Sequence, residues 1–305
     1  MKTSTLCEEA FAVRTPHFFA VLLTTLLVSQ CAIPGTTPHV TGNTSPPPQL
    51  AEPHVESRVL INEDGDTLGE RFLVPDGYER LTVEPSTFAY YLRNLSLKPH
   101  DVPVTLYDGR LKPNQSAHEA VLDIDTGDRD LQQCADAVIR LHAEYLWAEG
   151  RYDEIHYNFG NGFRCDYSRW MQGERVVVQG NDAYWVRSAP PSSEYAEFRR
   201  YLDIVFAYAY TGSLIQELSR VDVQHMQIGD VFIDQGHAII VVDMAKSVNS
   251  DDMLFMLAQS YMPAQDIHVL KNPSSEMSPW YALDFGQELV TPEWTFTHAD
   301  LRRFQ

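Results

Sequence analysis

Apolar positions recur at spacings of three and four residues along one long stretch in the middle of the chain. This stretch, residues 128–150, has acidic residues at its start and Gly150 at its end. Apolar residues at that spacing lie on one face of an α-helix, and glycine is typical of a helix end. The pattern therefore predicts a long amphipathic helix with Cys134 in its first turn or two. Similar spacing predicts three shorter helices, over residues 86–95, 192–210 and 212–219.

Apolar runs bounded by turn residues dominate the last part of the chain. They predict strands over residues 229–233, 237–244, 253–262, 266–270 and 279–285. Earlier runs predict strands within residues 71–83, 102–109, 118–125, 153–159, 173–180 and 184–188. A helix-rich half followed by an antiparallel β-meander is typical of an α+β fold, and no second linker interrupts it. We therefore expect a single α+β domain over residues 60–305.

A polar segment, residues 245–252, separates two of these predicted strands and favours a hairpin between them. If the chain turns near Val248, His237 at the start of the first strand lies opposite Gln259 or Tyr261 on the second. Those two residues share a face because side chains alternate along a strand. Gln259 would then orient the imidazole of His237.

The amino terminus has the pattern of an export signal. An apolar run from Phe18 to Val28 follows basic residues and is too short to span a bilayer. It leads to Cys31, in a sequence similar to a bacterial lipobox, whose cysteine becomes lipidated. Residues 1–31 are therefore predicted to be a signal peptide, and the Pro-, Thr- and Ser-rich residues 32–57 a disordered tether. This pattern predicts an exported, outer-membrane lipoprotein facing the periplasm, with a periplasmic or secreted protein as the alternative.

Acidic residues strongly outnumber basic ones in this chain of 305 residues, whose formal net charge is −19. Removal of residues 1–31 takes away two charges of each sign, so the mature protein keeps that value. A surface this acidic repels phosphate backbones, which argues against nucleic-acid binding. The histidines show no metal-ligand spacing. We expect no metal, no cofactor, no membrane contact beyond the lipid anchor, and a monomer.

A catalytic function would depend on Cys134. At a helix start, backbone N–H groups and the positive end of the helix dipole favour a thiolate over a thiol. A cysteine hydrolase also needs an imidazole near the sulfur and a third group that orients it, and we predict His237 and Gln259 in these roles. Donors to an oxyanion, or contacts to a substrate, are predicted from three further residues: Gln132, Gln133 and Tyr261.

The order of these residues resembles that of the papain-like amidases of the NlpC/P60 and CHAP families. A cysteine at a helix start is followed by a Gly-Asp strand, residues 229–233, and then by a Gly-His strand that begins at Gly236 and His237. The resemblance implies a papain-like fold, with the cysteine-bearing helix packed on an antiparallel meander and the hairpins of residues 152–187 inserted. It also implies hydrolysis of amide bonds in peptidoglycan stem peptides or related cell-wall substrates.

A more extensive resemblance is to the DUF4846 proteins, an uncharacterised bacterial envelope family. The resemblance is carried by residues 106–125, 128–146, 236–245, 258–273 and 291–296. These segments are spread over nearly the whole predicted domain, but the resemblance implies no established activity.

Two alternatives stay open at the level of sequence. Cys134 could be a small buried residue in a non-catalytic envelope lipoprotein that binds a glycan or a protein partner. Cys134 and Cys165 could also form a structural disulfide in an oxidising compartment.

Overall fold

A computed structural model describes residues 60–305 of the chain. The described residues belong to one compact unit. The predicted signal peptide, Cys31 and the predicted tether lie outside the described residues. Within residues 60–305, none of the helices has the length and apolar character needed to cross a bilayer.

The four predicted helices form, and two short helices that the apolar spacing did not predict form as well. Residues 60–305 contain the α-helices α1 (Leu68–Arg71), α2 (Phe88–Arg93), α3 (Cys134–Ala148), α4 (Tyr167–Met171), α5 (Tyr195–Tyr208) and α6 (Thr211–Glu217). The long predicted helix starts later than its apolar pattern, with Cys134 as the first helical residue. The Asp136 carboxylate fixes this start by accepting the backbone N–H of Gln133 at 3.1 Å. Gly150, with a φ of 69°, ends the helical stretch in the left-handed region.

The strands are short except in the centre of the domain, where two long ones pair. They are β1 (Tyr78–Arg80), β2 (His118–Val121), β3 (His156–Asn158), β4 (Arg164–Asp166), β5 (Glu174–Gln179), β6 (Asp182–Arg187), β7 (Ser219–Arg220), β8 (Val231–Ile233), β9 (Ala238–Ser247), β10 (Met253–Gln259), β11 (His268–Leu270), β12 (Tyr281–Ala282), β13 (Glu288–Val290), β14 (Thr295–Thr297) and β15 (Leu301–Arg303).

Nine of these strands form one antiparallel sheet. Its main path is β2-β11-β10-β9-β8-β15-β7, with β1 beside β9 and β12 beside β10. The pairs β3–β4, β5–β6 and β13–β14 are separate two-stranded sheets. The mixture of helices with an antiparallel sheet confirms the predicted α+β class, and the hairpins β3–β4 and β5–β6 lie outside the main sheet.

The central strand β9 is buried on both of its faces. Ala238, Ile240 and Val242 face the cluster that also contains α3, whereas Ile239 and Val241 face a second cluster on the other side. The alternation follows from the twofold repeat of a strand. Helix α3 therefore packs directly on β9 and also contacts β10.

The prediction of a strand over residues 102–109 is wrong. Its backbone N–H groups find partners other than a neighbouring strand, because Val104 N–H donates to the Gln115 side chain and Thr105 N–H to the Asp266 carboxylate. Only isolated bridges form there, at Thr105 and Leu106. Residues 71–83 likewise yield a single strand, β1, instead of two.

Candidate active site

Cys134 lies at the edge of an open cleft, as the first residue of α3. Its side chain is buried, with 6% of the residue exposed. Ser260, just after β10, ties the start of α3 to the sheet, since its hydroxyl donates to the carbonyl of Gln132 at 3.1 Å. The cleft has a volume of about 430 Å³, and its lining includes Gln133, Cys134, Tyr210, Gln235, Gly236 and Met262.

The thiol of Cys134 is not held as a thiolate, contrary to the expectation from its place at a helix start. Burial raises the pKa of the Cys134 thiol, and this effect is larger than the opposing effect of nearby backbone N–H groups. Those groups are the N–H of Ala135, the N–H of Ala238 and the N–H of Cys134 itself. The loss of water around the buried sulfur outweighs the effect of the helix dipole.

His237 is held by the turn that joins β8 to β9. The Asp234 carboxylate accepts the backbone N–H groups of Gly236 and His237 at 2.7 and 2.8 Å. The Trp294 indole donates to the other oxygen of Asp234 at 3.0 Å and covers the turn. A Cβ on Gly236 would lie 2.6 Å from the Trp294 ring, so this close packing requires a glycine. These contacts fix the backbone of His237 independently of the contacts that its side chain makes.

The predicted contact between His237 and β10 is present. His237 Nε2 lies 2.8 Å from Oε1 of Gln259, and the His237 and Tyr261 ring centroids are 4.8 Å apart. Because an amide oxygen only accepts, this orientation of the Gln259 amide requires the proton of the neutral imidazole to be on Nε2. Burial lowers the pKa of His237 to about 4, although the Gln259 bond acts in the opposite direction. At neutral pH the ring is uncharged and Nδ1 is a base.

Gln259 is in turn held by a buried polar network. Its amide nitrogen lies 2.8 Å from Oε2 of Glu293 and 3.3 Å from Nε2 of His268. Glu293 forms an ion pair with Lys112, whose Nζ lies 2.5 Å from the same Oε2. The side chains of Lys112 and Glu293 are only 3% and 13% exposed. Gln259 thus has a carboxylate on one side and an imidazole on the other.

The structure brings His237, Gln259 and Tyr261 into contact, but it does not join the thiol of Cys134 to them by a hydrogen bond. Within residues 60–305, the hydrogen bond of the His237 ring runs from Nε2 to Gln259, and none connects this ring with the Cys134 sulfur. The two residues are linked through the backbone, because the Ala238 N–H beside the thiol belongs to the residue after His237.

The two predicted oxyanion donors occupy different environments. Gln133 lines the cleft, and its amide nitrogen donates to Asp130 at 3.0 Å. Gln132 is buried, and its amide oxygen accepts a hydrogen bond from Arg140 at 2.8 Å. Its amide nitrogen has no partner within residues 60–305. Gln132 therefore has an unused donor, and Gln133 has a place at the cleft.

Cys134 and Cys165 are both free, so the alternative of a disulfide between them is wrong. Cys134 begins α3, whereas Cys165 lies in β4 of a separate hairpin. Each is buried among its own neighbours.

Sequence reasoning missed four residues that support the His237–Gln259 pair. Asp234 and Trp294 fix the turn before His237, and Lys112 and Glu293 hold Gln259. An aspartate three residues before a strand-opening histidine is a local signal for an Asx-type turn that could have been used. Lys112 and Glu293 carry no such signal, because they are 181 positions apart in the chain.

The comparisons with known proteins identify a family without a characterised function. A family model described as "Domain of unknown function (4846)" matches residues 68–303. No curated protein and no solved structure matches the chain significantly. Because the matched segment spans most of the polypeptide, this chain belongs to the DUF4846 family.

Proposed function

We propose that this chain is a cysteine hydrolase that cleaves amide bonds, with a papain-like arrangement of the NlpC/P60 type. Cys134 is the nucleophile, His237 the general base and acid, and Gln259 the residue that orients the imidazole. The observation that carries the proposal is the 2.8 Å contact between Nε2 of His237 and Oε1 of Gln259. This contact leaves Nδ1 as a free base at the end of the sheet where α3 begins.

The proposed reaction begins with a neutral thiol and a neutral imidazole. Nδ1 of His237 accepts the Cys134 proton as the sulfur attacks the scissile carbonyl, which forms a C–S bond. The imidazolium then protonates the amine as the C–N bond breaks, leaving a thioester. Water, deprotonated by the same ring, hydrolyses the thioester and restores the thiol. The two pKa directions, raised for Cys134 and lowered for His237, favour proton transfer during attack over a preformed ion pair.

The backbone around the sulfur supports stabilisation of the oxyanion. The N–H groups of Cys134, Ala135 and Ala238 already interact with the thiol. Donors fixed at that position can also interact with negative charge on the carbonyl oxygen beside the sulfur. Both predicted side-chain donors stay candidates for the same task, since Gln132 has an unpaired amide nitrogen and Gln133 lines the cleft.

The substrate that we propose is a cell-wall peptide, and the compartment is the bacterial envelope. The cleft at Cys134 is open to solvent and long side chains such as Tyr210 and Met262 flank it, so an extended chain could lie across the sulfur. The lipobox-like sequence at Cys31 supports a lipid-anchored protein. Fractionation of cells that express the wild type and Cys31→Ala tests the location. Recovery of both proteins from the cytoplasm would contradict export.

The direct test of the proposed activity uses a soluble form of the protein, residues 32–305, without the proposed lipid anchor, together with purified peptidoglycan and with isolated stem peptides. We expect release of new amino groups by the wild type. Cys134→Ala and His237→Ala should each abolish the release while their circular dichroism spectra stay unchanged. Hydrolysis that survives both substitutions would contradict the assignment of nucleophile and base.

A second candidate is a non-catalytic module that binds a cell-wall glycan or a protein partner. The raised pKa of Cys134 and the absence of a hydrogen bond from its thiol to His237, within residues 60–305, favour this candidate. Pull-down of peptidoglycan without hydrolysis, unchanged in Cys134→Ala, is the result that this candidate predicts.

A further inference from the structure

We propose that Glu293 is a positioning residue that sets the tautomer of His237 by fixing the orientation of the Gln259 amide. The catalytic consequence of this inference rests on the proposed function, but the orientation itself does not. Glu293 lies in the turn between β13 and β14, far in sequence from the residues that it would control.

The orientation of the Gln259 amide decides which nitrogen of His237 carries the proton. With Oε1 toward the ring, Nε2 of His237 must donate and Nδ1 is left as a base. If the amide were reversed, its N–H would donate to Nε2, and the proton of the neutral ring would move to Nδ1. A protonated Nδ1 cannot accept the proton of Cys134, so the reversed amide would prevent the proposed reaction.

Glu293 permits only one of these orientations. Its Oε2 lies 2.8 Å from the amide nitrogen of Gln259, and a carboxylate has no proton to donate to an amide oxygen. Lys112 and Asn114 hold the same carboxylate, with Nζ at 2.5 Å from Oε2 and Nδ2 at 3.2 Å from Oε1. A reversed amide would place its oxygen against a carboxylate oxygen in a buried site.

His268 supplies a second, weaker restraint in the same direction. Its Nδ1 lies 2.9 Å from the carbonyl oxygen of Asp266 and must therefore donate. The other nitrogen, Nε2, is then an acceptor for the Gln259 amide at 3.3 Å. The longer distance makes Glu293 the stronger of the two partners.

The turn that carries Glu293 also fixes the backbone of His237. Thr291 and Trp294 close this turn, with the Thr291 N–H on the Trp294 carbonyl at 2.9 Å. Trp294 packs on Gly236 and donates to Asp234, as described above. One short segment thus controls both the position of His237 and, through Gln259, its tautomer.

Nuclear magnetic resonance of the ¹⁵N-labelled imidazoles tests the inference without any substrate. The His237 signal is assigned by its loss in His237→Ala. We expect the wild type to carry the proton on Nε2. In Glu293→Gln, Lys112 and Asn114 compete for the one remaining acceptor oxygen, so Gln259 loses its best partner and a population with the proton on Nδ1 should appear. Asn114→Ala is the matched control, because it leaves Oε2 of Glu293 in place, and its spectrum should match the wild type.

Kinetics provides the second readout. Loss of a residue that orients a metal-binding histidine typically costs about 10- to 100-fold, and by analogy we expect kcat of Glu293→Gln to fall by a similar factor while KM stays nearly constant. A wild-type His237 with its proton on Nδ1 would overturn the inference even if Glu293→Gln fails to fold. An unchanged tautomer in folded Glu293→Gln would overturn it as well. If the tautomer shifts but no variant hydrolyses any peptide, the positioning role stands and the proposed function fails.

Discussion

The two free cysteines of the described domain have different surroundings around their sulfur atoms. Cys165, in the hairpin β3–β4, is fully buried within the main apolar cluster, and burial raises its pKa strongly, with a smaller contribution from Asp166. Cys134, at the start of α3, also has a raised pKa, but backbone N–H groups interact with its sulfur and an open cleft reaches it. Burial alone therefore does not distinguish a structural from a reactive cysteine. The polar groups that face the sulfur do.

The surroundings of the two thiols extend this contrast. Near Cys165, the hydroxyl of Tyr201 donates to the Cys165 carbonyl at 2.8 Å, a contact that holds the backbone and leaves the sulfur among apolar groups. Near Cys134, the start of a helix meets the start of a strand, and the adjoining His237 belongs to a buried polar network. The region of Cys134 therefore has a buried polar network beside its cysteine, whereas the region of Cys165 has only apolar packing.

Serine at each position should separate the two roles most strongly. We expect Cys134→Ser to lower hydrolysis by at least about 10³-fold, because the nucleophile is exchanged for a much weaker one. Its stability should change little. Cys165→Ser places a hydroxyl in an apolar cluster and should cost about 1–3 kcal/mol of unfolding free energy, with kcat retained. Urea denaturation and peptide hydrolysis measured on both variants check the pair. Equal loss of activity in both variants would contradict the different roles proposed for Cys134 and Cys165.

Alkylation by iodoacetamide offers a comparison that needs no substrate. Cys134 should react in the native protein and Cys165 only after unfolding, because one sulfur reaches a cleft and the other is enclosed. The pKa of Cys134 is raised above its ordinary value of 9.0. We therefore expect its alkylation rate to keep rising as the pH is increased past 9.0. Peptide mapping by mass spectrometry at several pH values follows both sites. A Cys134 rate that reaches its plateau near pH 6 would show a stabilised thiolate instead.

Acid should destabilise both regions through buried neutral histidines. Burial lowers the pKa of His237 to about 4 and that of His142, which contacts Tyr157 of β3 at 3.0 Å, to about 3. A histidine whose pKa is lower in the folded than in the unfolded state favours folding fully when the pH is above its unfolded pKa of 6.5. That contribution is lost as the pH falls from there toward the folded pKa.

The expected loss for His237 alone is on the order of 3 kcal/mol. Unfolding free energies measured between pH 7 and pH 4 check this, with His237→Asn and His142→Asn each removing part of the pH dependence. Activity should persist below pH 6 and disappear as the pH falls through about 4, where His237 becomes protonated. Stability that is constant over this range would contradict the burial of neutral rings.

Gly236→Ala should have a smaller effect than the loss of the nucleophile in Cys134→Ser. Its methyl group would meet the Trp294 ring at 2.6 Å, and such overpacking typically costs about 1–3 kcal/mol. Displacement of the turn should also lower kcat. Trp294→Phe removes the ring atoms that clash and should partly restore both quantities in the double variant. Thermal unfolding of the four proteins in this cycle provides the measurement, and strictly additive effects would show that the two residues do not meet.

Sequence periodicity predicted the elements of the site better than its surroundings. Helix α3 and the hairpin β9–β10 are long, so apolar spacing and the polar turn were sufficient to bring His237 and Gln259 together. The register shift between Met256 and Leu257 of β10 was not predicted. The failed strand at residues 102–109 depends on Asp266, whose carboxylate lies 161 positions from Thr105 and takes its backbone N–H. Such a partner has no local signal.

The charge state of Cys134 illustrates the same limit. The helix dipole is a local property and could be inferred from sequence, but desolvation depends on the packing of β9 against α3. The tertiary contribution is the larger one. The role of Glu293 was hidden for a similar reason, since its partners come from segments that meet only in the fold.

We propose that Cys134 forms a thioester during amide hydrolysis. The most direct test is to mix mature protein with an activated ester of a stem peptide, quench the mixture in acid, and determine the modified residue by mass spectrometry. We predict an acyl adduct on the peptide that contains Cys134. It should be absent in Cys134→Ala, strongly reduced in His237→Ala and retained in Cys165→Ser. No adduct in the wild type, or an adduct that is indifferent to His237, would contradict the proposed mechanism.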